Sequence, residues 1–189
     1  MRKEKIMSES SFIFKLIISI IKVPFYLILF LFGRKKLSDV FAPFKHIKRF
    51  LSDARFTSWI IFANVVLFIV SILLPEEFLL KMINYPENIF SINFYTIITS
   101  GFFHADISHL LLNVLGIFIF GKIVERKLGA KKTAVIYFLA LIASNIFSSL
   151  IHIFALKDNI PGLGASGALM GLVAVAILID PFYITHMLV

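Results

Sequence analysis

Residues Pro161 to Gly167, PGLGASG, admit two folds. Gly162, Gly164 and Gly167 spell G-x-G-x-x-G, the spacing that cradles a dinucleotide pyrophosphate in a soluble βαβ unit. The same residues set Ser166 between Ala165 and Gly167, at the head of an apolar run, where a nucleophile would stand at a helix entrance. The dinucleotide reading requires a preceding strand and an acidic residue about 20 positions on. Here an apolar, helix-length run precedes the motif, and Asp180 follows Gly167 by 13 residues. The hydrolase elbow G-x-S-x-G fails as well, because Ala168 stands where its second glycine belongs. Context therefore favours a membrane helix.

Composition agrees. The chain has 189 residues, of which 59% are hydrophobic and 22 are Phe, while 16% are charged. Its mean hydropathy is +0.94, and soluble domains carry roughly 45–50% apolar residues. The sequence reads as an integral membrane protein, an all-α polytopic helical bundle in the lipid bilayer. With no cysteine, disulfides, thiolate nucleophiles and Cys-ligated metals are excluded.

The net charge of +8 resolves on mapping: 12 of the 19 Lys and Arg fall within residues 1–55. Basic clusters flanking apolar runs mark the cytoplasmic side of a span and its anionic lipids. No aromatic-interleaved basic patch points to nucleic acid, so no nucleic-acid partner is expected.

Four apolar runs follow residue 55, at 57–74, 107–121, 134–155 and 165–179. A span needs about 20 residues to cross a hydrocarbon core of about 30 Å. The first and third reach that length, and the second and fourth read as short. Loop charge alternates: 34–55 and 122–132 are basic, 75–105 carries Lys81 against Glu76, Glu77 and Glu87, and Lys157 and Asp158 cancel. The positive-inside rule then puts 34–55 and 122–132 in the cytoplasm and PGLGASG outside. Residues 1–55 form a basic N-terminal region whose apolar run 11–33, interrupted by Lys15, Lys22 and Pro24, suits an interfacial or partly inserted helix. Residues 56–189 form the membrane domain.

Gly164, Gly167 and Gly171 suit close helix approach, as small-xxx-small packing requires. They do not account for the polar residues of Gly101-FFHADISHLLLNVLG116. There His109 and Asn113, four apart, share a helix face, His104 precedes them, and Asp106 suits a helix cap. Imidazoles and an amide entering a span are costly unless they act or pair. No carboxylate joins the two histidines as in H-E-x-x-H, so no metal site is read. Asn145, Ser148, Ser149 and His152 share a face of the third run, and hydrogen bonding explains them better than chemistry.

These motifs together, TSGFFHADISHLLLN, then GKIVERKLG, then GASGALMG, resemble the rhomboid family of intramembrane serine proteases over about residues 56–180. The resemblance implies Ser166 as nucleophile, His109 and Asn113 as oxyanion partners, and Gly164, Gly167 and His104 in support. It implies that Glu125 and Arg126 order the connection between core helices two and three. It also implies cleavage of transmembrane protein substrates without a cofactor, in a multi-pass protein. No transit peptide is evident in the sequence, so a prokaryotic cytoplasmic membrane is the default expectation for its location. The chain departs from the family pattern in two places. Tyr95-Thr96 replaces a Trp-Arg pair. The general-base His belongs two spans after the serine, and His186, 20 residues on, lies about 30 Å of helix away. The chain thus reads as a copy truncated to four of six core helices. The alternative is a catalytically inactive relative that binds membrane clients.

Overall fold

The chain from Ala54 to Pro181, with Leu29, Gly33, Arg34 and Lys36, is described by a computed structural model. The apolar run 11–33 and the basic stretch before Ala54 lie almost entirely outside the described residues, as does His186. Residues Ala54–Ile179 form one compact unit. Among the described residues all regular structure is helical, and extended pairing is confined to a bridge between Asn84 and Gly162.

Among the described residues, three helices are long and apolar enough to cross a membrane: α1 (Arg55–Leu73), α4 (Ile107–Leu128) and α5 (Ala130–Leu156). Between α1 and α4 run two short helices, α2 (Glu76–Leu80) and α3 (Thr96–Thr99), separated by 3₁₀ turns. The last helix, α6 (Ser166–Ile179), has 14 residues. At 1.5 Å per residue it is about 21 Å long, short of a full crossing, as its sequence indicates.

The second span corrects the sequence reading. It was expected to end at 121, with 122–132 as a loop, but it runs 22 residues to Leu128. A π-turn at Ile117–Gly121 passes the chain into KIVERKL, whose residues are mostly good helix formers. The charges there do not break the helix, and two of them have partners that suit an apolar setting. Lys122 lays its ammonium 5.0 Å from the Phe118 ring centroid, a cation–π contact, and Glu125 is consumed by α1. Gly129 alone separates α4 from α5; at φ +83 it occupies the left-handed side of the map, which favours glycine after a helix. Lys131 and Lys132 are therefore the first turn of α5 rather than a loop.

Small residues set the helix spacing. A Cβ on Gly167 would meet Ser144 Oγ, and one on Gly171 would sit 2.2 Å from Ala140 Cβ. Residue numbers rise on α6 as they fall on α5, so the two helices are antiparallel and in close contact. This is the small-residue packing the glycine spacing suggested, and dispersion supplies its energy. Gly121 likewise admits Thr57 of α1. Tyr137, Leu141, Leu172, Ile117 and Val124 fill the interior, while Trp59, Phe62, Ile72 and Leu178 face outward, as suits lipid contact.

Candidate active site

The PGLGASG loop is fixed by backbone pairing before any side chain acts. Asn84 and Gly162 exchange both hydrogen bonds, at 3.0 and 2.8 Å, and the Gly164 N–H donates to the Ser100 carbonyl at 2.9 Å. Behind the loop stands a buried polar cluster. Asn84 Nδ2 donates to Ser149 Oγ at 3.1 Å, and its Oδ1 accepts from Thr96 Oγ1 at 3.0 Å. Asn145 Nδ2 donates to the Ile97 carbonyl at 2.7 Å. Asn145 and Ser149 thus have the hydrogen-bonding role expected of them, though their partners are the 84–100 segment rather than neighbouring spans. Such fully paired groups anchor a loop in an apolar setting at little desolvation cost.

The second span presents its polar face to this loop. Asp106 caps α4 as read from sequence: its carboxylate accepts from the His109 N–H at 2.8 Å and from the Ser108 hydroxyl. Those two bonds, the Ser108 hydroxyl first, hold its carboxyl below the usual carboxylate range. Gly164, at φ +102, stands directly against the imidazole; a Cβ there would lie 2.6 Å from His109 Nε2 and Cε1. Two turns along α4, a Cβ on Gly116 would lie 2.5 Å from Leu169 of α6. Positions 109, 113 and 116 follow helical spacing, so Asn113 belongs to the stripe whose two ends touch Gly164 and Leu169.

Asn113 is buried, and its Nδ2 donates to the His109 carbonyl at 2.9 Å. A carboxamide nitrogen carries two hydrogens, so one remains for another acceptor. Asn113 Oδ1 has no hydrogen-bond partner among the described residues. His104 lies edge-on to His109, ring centroids 5.0 Å apart at 68°. It is 6% exposed, and among the described residues no side chain pairs with its ring nitrogens. Burial, aided by the His109 charge, pushes its imidazole down to about 4, so it is neutral at physiological pH.

Ser166 opens α6 with its side chain exposed. His152, by contrast, pairs its Nδ1 with Asp158 at 2.5 Å, and that bond holds the Asp158 carboxyl down. Gly167 packs on Ser144, and His152 stands eight residues further along α5, about 12 Å of helix. His152 is therefore distant from Ser166.

Of the residues singled out in the sequence, His104, His109 and Gly164 form one contact chain, and Asn113 shares its face. Gly167 serves the α5–α6 packing. Glu125 differs from its expected role. Its carboxylate accepts from Phe56 N at 3.0 Å, Thr57 N at 2.8 Å and Thr57 Oγ1 at 2.7 Å. Its side chain therefore caps the start of the first span, where the helix dipole favours a negative charge. The turn between the second and third spans is closed by its backbone carbonyl, which accepts from Gly129 N. Sequence reasoning missed Asn84 and Ser100. A lone Asn among apolar residues was the available signal for Asn84; nothing in sequence marks a backbone carbonyl such as that of Ser100.

Residues 91–189 match the Rhomboid domain. RHOMBOID-like protein 12, mitochondrial, of Arabidopsis thaliana is 27% identical over 152 residues, 72% of this chain and 45% of the plant protein. Rhomboid-like protease 3 of Toxoplasma gondii is 32% identical over 122 residues, 61% of this chain and 44% of the parasite protein. The chain thus spans under half the length of these curated relatives. Since the domain match extends over more than half of the chain and takes in both the second-span polar face and the GASG helix, this is a multi-pass membrane protein that belongs to the rhomboid family.

Proposed function

We propose that the chain carries the nucleophile and oxyanion half of an intramembrane serine protease site acting on transmembrane segments of other proteins. The observation that carries this reading is the contact of the His109 imidazole with Gly164, two residues before Ser166, with Asn113 one turn further on. In this reading the Ser166 hydroxyl attacks a substrate carbonyl and gives up its proton to a base. The oxyanion accepts from the His109 N–H, from the second N–H of Asn113 and from the first-turn N–H groups of α6, which lack intrahelical partners. Collapse of the tetrahedral intermediate breaks the C–N bond, the amine takes the proton, and water hydrolyses the acyl-serine.

Among the described residues, His104 is buried, His109 is committed to the oxyanion and His152 is paired at a distance, so the base in this scheme is an imidazole outside residues 54–181. If the Ile179 end of α6 sits at the membrane interface, Ser166 lies within the bilayer's depth, because α6 is about 9 Å shorter than the core. Its exposed side chain suits access by substrate and water from the protein's flank. The name of the Toxoplasma relative, a protease, supports this class. The relatives named above include a mitochondrial plant protein, which gives the expected prokaryotic location no support.

The test is cleavage of a reporter transmembrane segment by the full-length protein in proteoliposomes. Ser166→Ala should reduce the rate by about a thousandfold or more. Client binding without any cleavage by the parent protein would sink the protease reading and favour the inactive, client-binding alternative.

A further inference from the structure

We propose that His104 is a positioning residue that holds the His109 imidazole against Gly164 through ring-edge contact. The proposal rests on the oxyanion role given to His109 above. His109 is held on three sides. Its backbone N–H is fixed by Asp106 and its carbonyl accepts from Asn113, which settle the helix but leave the ring free to turn about χ1 and χ2. The ring meets the Gly164 backbone on one side, where a side chain would already clash. It meets the His104 ring, edge to face, on another. Two of these parts share one reference point: the Ser100 carbonyl accepts from Gly164 N at 2.9 Å and from Phe103 N at 3.2 Å. The segment carrying His104 and the loop carrying Gly164 are thus tied to the same atom, with the His109 ring between them.

The His104 ring meets the His109 ring edge to face, with centroids 5.0 Å apart, so its working part in this contact is the ring's shape and quadrupole. Edge-to-face rings have a preferred geometry and resist rotation of the partner. Burial keeps His104 uncharged near neutrality. A misdirected donor is costly, because a displacement of about 1 Å at a reacting centre can reduce the rate about a hundredfold.

His104→Leu and His104→Phe separate ring from bulk, since both are apolar fillers of a buried site and only one is aromatic. The full-length protein is assayed in detergent for kcat and KM on the reporter substrate, and its His109 ring signal is followed by NMR with ¹⁵N-labelled histidine. His104→Leu should lower kcat about tenfold with KM nearly constant, and His104→Phe should restore it to within about threefold. The His109 signal should shift in the Leu variant and return in the Phe variant. A Leu variant with parental kcat, or a Phe variant as slow as Leu, overturns the proposal. If the parent protein cleaves nothing, it is the protease reading that fails. The NMR signal then decides alone, and a His109 resonance unmoved by His104→Leu overturns the positioning role.

Discussion

At the Leu128 end of the second span, the Glu125 carboxylate accepts three hydrogen bonds from the start of α1, one turn from the glycine that admits Thr57. At the Ile107 end, a glycine admits His109 and buried polar groups again gather, but among the described residues no side chain pairs with the His104 ring nitrogens and Asn113 Oδ1 has no hydrogen-bond partner. Both ends combine a small residue with a polar group in an apolar setting. The Glu125 carboxylate at one end is saturated, and the Asn113 Oδ1 at the other is not. Saturated polar groups stabilise a helix junction; groups with spare donors carry a cost that only a further partner offsets. Under the proposed function, the contrast divides scaffold from chemistry within a single helix.

Asn113→Ala gives the sharpest test of that division. If Asn113 donates to the oxyanion as proposed, its loss should lower kcat of the full-length protein by about 100- to 1,000-fold. Resistance to unfolding by sodium dodecyl sulfate should change little, because the side chain leaves an acceptor unsatisfied in the fold. A large stability loss with kcat intact would move Asn113 to the scaffold side.

The unpaired end should also respond to acid. Histidine in the unfolded chain titrates near 6.5, whereas His104 in the fold lies at about 4. Between these values the unfolded state binds more protons, so stability is highest above pH 6.5 and declines as pH falls toward 4, by up to about 3 kcal/mol. His109 and Asp106 are the titratable neighbours that act on it. Comparing detergent unfolding at pH 7 and pH 4.5 for the parent and His104→Phe isolates the effect; an equally steep decline in the variant would assign it elsewhere.

Glu125→Ala probes the saturated end. Removing the acceptor orphans two backbone N–H groups and a hydroxyl, which should cost about 2 kcal/mol. The folded fraction should retain its kcat, since Glu125 lies at the far end of α4 from His109. The smallest effect is expected at the α5–α6 seam. Gly171→Ala places a methyl against Ala140 and should cost about 1 kcal/mol by overpacking, leaving the His109 NMR signal in place. A shift of that signal would mean that the seam and the site move together.

Several of these features were legible in the residues alone. Period and hydropathy located the four apolar helices α1, α4, α5 and α6, because apolar length is a local property and the bilayer imposes it on each span separately. Asp106 as a cap and the pairing of His109 with Asn113 follow from i, i+3 and i, i+4 spacing, which is equally local. Gly167 and Gly171 were readable as packing positions for the same reason. The end of α4 was not, because charge in a hydropathy window reads as loop, whereas the cation–π contact of Lys122 and the α1 cap made by Glu125 let the helix continue. Those partners lie up to 69 residues away. The fit of Gly164 to His109, the Ser100 carbonyl that ties two segments together and the choice of which polar groups stay unpaired are also long-range. They depend on how antiparallel helices meet once small residues bring their backbones close, and that was decided by tertiary packing alone.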